Sequence, residues 1–315
     1  MAKSLKQYSP ALQILILLAF FISFGMLAGM LSYFLPPALS GYRLESLEKA
    51  DLSDPRVVLV WRIIAFISPV FLYLLPALLF ARLVSPRALE WLQLNKPVQL
   101  RTMLFVLVIM VLGRPMTGIL YDWTAAWDLA QSSHREAESK KAIVDAMHNM
   151  PNVAYLLRDL LLFELVAAVA RICFFYGVFQ QVLIRVMPKA PWVAIAITSV
   201  IYGASFFQWQ NFASLILIGF QIGAIFYLTR NLWLSVVAEF ILSSIQWFKF
   251  YSHQHGWTNE DPQHPSPTAW YYAVLSLAIT VGLLWYFRKR IPRPAIVIDY
   301  QAVITSIGNT GRKEI

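Results

Sequence analysis

Apolar runs of membrane-spanning length recur along this chain, and they restrict its fold more than any other feature. They lie at approximately 11–35, 57–81, 102–121, 152–183, 191–207, 211–229, 232–250 and 268–287. A helix needs about 20 apolar residues to cross the hydrocarbon core. Inside that core the backbone must satisfy its own hydrogen bonds, which leaves helices or closed barrels. Runs this long and continuous are helical, so the expectation is an all-α polytopic membrane protein with about eight spans. The fourth run is too long for one perpendicular crossing and is expected to tilt or to begin outside the bilayer.

Composition agrees. Hydrophobic residues make up 58% of the 315 and charged residues 14%, whereas a soluble domain is about a quarter charged. The net charge of +9 therefore reads as topology, and no nucleic-acid partner is expected. With the N-terminus inside, Lys3, Lys6, Arg82, Arg87, Lys96, Arg101, Arg185, Lys189, Arg230 and the basic residues after 287 all fall inside. Most acids fall in the outer connections. The positive-inside rule then puts both termini in the cytoplasm, with a bacterial inner membrane as the expected location. Lys3 and Lys6 precede an apolar run too long for a signal-peptide core, so the first span is read as uncleaved. Cys173 is the single cysteine, which excludes an intrachain disulfide and a cysteine metal cluster.

The chain divides on this reading into N-terminal spans (1–121), an outer amphipathic connection (122–151), a core (152–251), an outer loop with the last span (252–290), and a basic tail (291–315). In 122–150, Trp123 and Trp127 share a helix face and are expected to point to the membrane, as are Ile143 and Met147. Pro151 ends that helix or bends the chain. His253, His255 and His264 surround Trp257 in a proline-rich loop without a regularly spaced carboxylate, and read as solvated sequence and not as a metal site. Residues 295–307, rich in β-branched side chains, are read as a small strand or as disorder. The glycine pairs Gly25/Gly29 and Gly219/Gly223 are read as internal helix packing.

Residues 165–181, LVAAVARICFFYGVFQQ, carry a cation in the middle of an apolar helix. Placing a charge there costs about 2.5–3.5 kcal/mol on insertion scales, so Arg171 should have a partner. Glu164, two turns earlier on the same face, is one candidate. The serines of the apolar helices lack a nearby membrane histidine to act as base and read as backbone-bonded.

Residues 140–245 resemble the CPBP family, the CAAX prenyl protease and bacteriocin-processing intramembrane metalloproteases. The family pattern is E-E-x-x-x-R-G on one helix, F-x-x-x-H on the next, then G-x-x-x-G and a segment like S-L-W-x-x-x-x-A-H-x-x-x-N. Gly177, Gln180, Gly203, Gln208, Phe212, Gly219, Gly223, Leu232, Trp233 and Ala238 stand where that pattern expects them. The polar positions differ. The motif glutamates fall at Arg171 and Ile172, the motif arginine at Tyr176, the histidines at Phe206 and Glu239, and the asparagine at Ser243. In the family those positions imply a metal and an activated water. Here Glu239 alone retains a metal-ligand type, and one carboxylate does not hold zinc. No metal or other cofactor is expected, and no catalytic residue.

If the family geometry applies, Arg171 and Glu239 meet as an intramembrane ion pair where the metal would sit, with Phe206 and Tyr176 filling the remainder. The resemblance implies a catalytically inactive scaffold or accessory subunit of a membrane complex, one that holds a transmembrane or lipidated segment in the former active-site cleft. The alternatives are a divergent metalloprotease that cleaves prenylated or transmembrane peptides, and a small-molecule or ion transporter.

Overall fold

The computed structural model describes residues 5–47, 50–126, 134–262 and 267–290. Among these residues there are helices and turns and no strands. The main helices are α1 (Pro10–Ser40), α2 (Pro55–Val84), α3 (Leu100–Ala125), α4 (His134–Met147), α5 (Val153–Val186), α6 (Pro191–Ala204), α7 (Phe212–Thr229), α8 (Leu232–Gln254) and α9 (Trp270–Arg290). Every apolar run named above is helical. Five helices (α1, α2, α3, α5 and α7 with the turn before it) are long and apolar enough to cross a membrane, and α6 and α9 are shorter apolar helices. This is a helical membrane protein.

Local chemistry sets the helix ends. Ser9 caps α1 by accepting from Leu12 N, and Pro10 follows at the first turn, where a missing N–H costs nothing. Gly41, at φ 79°, closes α1 in the left-handed conformation. Asn152 caps α5 through Ala154 N and Tyr155 N, with Pro151 just outside. In α3, Gly113 and Pro115 interrupt the helix.

Burial orders the helices. α1 is peripheral, with 11% of its most apolar stretch covered by protein, and α5 is central, with 56% covered. At 34 residues, α5 is about 51 Å long, well beyond a hydrocarbon core of about 30 Å, which accounts for the length of its apolar run. Two π-helical stretches, Leu160–Leu165 and Cys173–Gln180, widen it.

Glycines seat α7 against α5 and α6. A Cβ at Gly219 would lie 2.9 Å from Tyr202 Cδ1 and 3.0 Å from the Tyr176 hydroxyl, and one at Gly223 would lie 2.6 Å from Gln180 Oε1. The Tyr176 hydroxyl and Gln180 Nε2, one turn apart on α5, donate to Gly219 O and Gly223 O, one turn apart on α7, each at 3.0 Å. This ladder fixes the register of the two helices. Gly25 meets Leu72 at 3.2 Å, whereas Gly29 faces open space, so only three of the four paired glycines are packing positions.

Of the connection 122–150, the described residues place 122–125 at the end of α3 and 134–147 in α4. Trp127 lies outside the described residues. Trp123 is exposed, but Ile143 is buried and Met147 lines a cavity, so the apolar face of α4 turns to the protein and not to lipid. Its carboxyl end is held there by Arg62, whose Nη2 donates to Met147 O at 3.0 Å, a cation placed where the helix dipole favours one. Lys141 pairs with Asp261 at 2.9 Å. His255 bridges Tyr251 O and Pro151 O. His264 and residues 295–307 lie outside the described residues.

Candidate functional site

Arg171 on α5 is met by side chains from its own helix, from α8 and from the turn after α6. On α5, Glu164 and Arg171 share a face, as their seven-residue spacing requires. Arg171 Nε donates to Glu239 Oε1 on α8. Its Nη2 lies 3.9 Å from Glu164 Oε2, and its guanidinium stands 5.2 Å from the centroid of the Phe206 ring in the turn after α6. Both carboxylates named as candidate partners therefore face the same cation. Glu239 is the closer, and its side chain is 3% exposed against 20% for Glu164. Glu164 is itself fixed, since its Oε1 accepts from Trp247 Nε1 at 2.8 Å.

Aromatic rings fill the space around the pair. Tyr202 packs edge-on to Phe206 at 5.1 Å, and Tyr176 lies 5.6 Å from Tyr202. Tyr202 is close enough to Glu239 for the two to interact electrostatically. The structure thus brings Arg171, Glu239, Glu164, Phe206 and Tyr202 into one constellation, with Tyr176 one ring away. Ile172 is fully buried in the apolar core and makes no polar contact.

A cavity of about 340 Å³ opens beside Arg171, between α2, α5, α8 and the carboxyl end of α4. Arg62, Ser68, Tyr73, His148, Glu164, Arg171 and Trp247 contribute its polar atoms or rings. Sequence reasoning missed Arg62, His148 and Trp247. His148 stacks on Trp247 at 4.1 Å and Phe250 at 4.3 Å, and one ring nitrogen contacts Val144 O at 2.7 Å. Burial holds its pKa below the usual histidine value, so the neutral ring predominates at pH 7. Below the cavity mouth, Asp159 is fully buried between Arg158 at 2.7 Å and Arg62 at 3.6 Å. A charged side chain deep in a membrane protein was a visible signal at Arg62; nothing local marked His148.

The donor set does not suit a metal. Arg171 is a cation in the middle of the constellation and Phe206 has no donor atom. Among the described residues no group of three or more His, Cys, Asp or Glu side chains could hold an ion, and zinc takes about three protein ligands at the least.

Five helices long and apolar enough to cross a membrane, a buried charge pair and a cavity beside it define a helical membrane protein with a polar centre. The family model described as type II CAAX prenyl endopeptidase Rce1-like matches residues 154–245. The matched stretch runs from the first turn of α5 into α8 and holds Glu164, Arg171, Tyr176, Phe206 and Glu239. It is less than a third of the chain, so the resemblance to CAAX proteases of the CPBP type belongs to this helical core. No curated protein and no solved structure matches the chain.

Proposed function

We propose that this protein is a catalytically inactive relative of the CPBP proteases that serves as a scaffold or accessory subunit in a membrane complex. The observation that carries the reading is the Arg171–Glu239 pair. It occupies positions where the family pattern has a glutamate and a histidine, and a cation there repels a metal instead of binding it. The neighbouring cavity remains large enough for a few side chains, and its apolar walls with a charged floor suit a transmembrane or lipidated segment. We place the protein in a bacterial inner membrane with both termini cytoplasmic, from the distribution of Lys and Arg.

A photo-crosslinking amino acid at Ser68, which lines the cavity, tests the role in cells. The expected product is an intact adduct with one membrane protein or lipopeptide, not formed from Met30 on the exposed face of α1. Equal adducts from both positions would remove the cleft from the account. A trimmed partner peptide would favour the divergent-protease alternative.

A further inference from the structure

On the side of the molecule opposite the cavity, the connection from α2 to α3 is clasped to the turn between α7 and α8. Trp233 Nε1 donates to Leu94 O at 2.8 Å, Asn231 Nδ2 to Pro97 O at 3.0 Å, and Leu232 N to Gln93 O at 3.2 Å. These bonds hold Lys96 beside Arg230. Arg230 sits at φ 53° as the left-handed cap of α7, a conformation costly for a residue with a side chain. Its guanidinium lies 5.5 Å from the Tyr227 ring centroid, and Nε and Nη2 are buried without a hydrogen-bond partner among the described residues.

The clasp brings these two cations into one neighbourhood, and among the described residues no carboxylate is among the groups that act on either. Burial brings Arg230 down to about 10, and partial desolvation of the largely exposed Lys96, with the Arg230 charge, lowers it below the usual lysine value. A desolvated guanidinium with unfilled donors is costly unless an acceptor arrives. The position fits one source of acceptor. Arg230 follows the last residue of a membrane-crossing helix, Trp192 packs on Tyr227 at 5.5 Å, and tryptophan and tyrosine mark the interface where headgroups lie. Basic recesses between helices at this level take lipid phosphates.

We propose that Lys96 and Arg230 form a binding site for the phosphate of an anionic membrane lipid. The phosphate oxygens supply the acceptors that the guanidinium lacks and relieve the repulsion between the two cations. The site is independent of the Arg171 centre and does not rest on the function proposed above.

Native mass spectrometry of the full chain in mild detergent, with equal phosphatidylglycerol and phosphatidylcholine, tests this. The wild type should retain phosphatidylglycerol about fivefold over phosphatidylcholine. Lys96→Gln, an exposed position, and Arg230→Asn, which tolerates the left-handed backbone, should each reduce the preference to below about twofold. Arg87→Gln, on the same side and paired with Glu90, should leave it unchanged. Equal retention of the two lipids by the wild type, or a preference that survives both substitutions, would overturn the site. Stabilisation by inorganic phosphate without any lipid preference would assign the two cations to a soluble phosphate and overturn the lipid assignment.

Discussion

Arg171 and Glu239, 68 residues apart in sequence, are joined by a direct hydrogen-bonded ion pair between α5 and α8. Glu239 is almost wholly buried, and Arg171 is mostly covered apart from the side that lines the cavity. Removing one partner of such a pair typically costs about 3–5 kcal/mol, because the other is stranded. Arg171→Met and Glu239→Gln should each lower the thermal midpoint sharply. The double variant should be more stable than the sum of the singles implies, with a coupling of about 0.5–3 kcal/mol. The same cycle with Glu164→Gln should give a smaller coupling, since that carboxylate is more distant, more exposed and bonded to Trp247. Additivity in the first cycle would contradict the pair.

The two glycine pairs should behave differently although they look alike in sequence. Gly219→Ala forces a methyl group to 2.9 Å from Tyr202 and should cost about 1–3 kcal/mol. Gly29→Ala meets nothing within 4 Å and should be neutral or slightly stabilising in a helix. Tyr176→Phe removes the bond to Gly219 O and should cost about 0.5–1.5 kcal/mol. Thermal unfolding in one detergent compares all three; equal effects from both glycines would refute the packing account.

His148 gives the α4 end of the molecule a pH dependence. Its folded pKa is depressed by burial, so the unfolded chain binds the proton more readily. The stability it supports is fully present above the unfolded value of about 6.5 and declines as the pH falls from there towards the lower folded value. The wild-type midpoint should therefore drop between neutral pH and mildly acid pH. His148→Phe, which keeps the stack on Trp247 and Phe250, should flatten that part of the profile. An unchanged profile in the variant would assign the acid sensitivity elsewhere.

The helices were readable from sequence because a membrane leaves little choice: long apolar runs must close their own hydrogen bonds, and each run became a helix. The site was readable only where it shares a helix face, as Glu164 and Arg171 do, or through the family pattern, which placed Glu239 opposite Arg171. The approach of His148 and Arg62 to the same cavity depends on how α4 folds back over α2, and no periodicity encodes that. The π-helical widening of α5 has no compositional signature at all.

Topology can be checked with single cysteines on a Cys173→Ala background, since Cys173 is fully buried. Ser53→Cys and Lys189→Cys lie at exposed positions, which the proposed topology puts on opposite sides of the membrane. The Lys and Arg distribution predicts that an impermeant maleimide labels the first in intact cells and the second only after lysis. The reverse pattern would invert the assignment of both termini.

The central claim is that a charge pair stands in place of a catalytic metal, and metal content tests it most directly. The full chain, purified in mild detergent, supplied with zinc and then dialysed, should retain far less than one zinc per molecule if Arg171 and Phe206 stand at the family's ligand positions as proposed, with Glu239 bonded to Arg171. About one zinc per chain surviving dialysis, and lost in Glu239→Gln, would contradict the account and restore the metalloprotease reading.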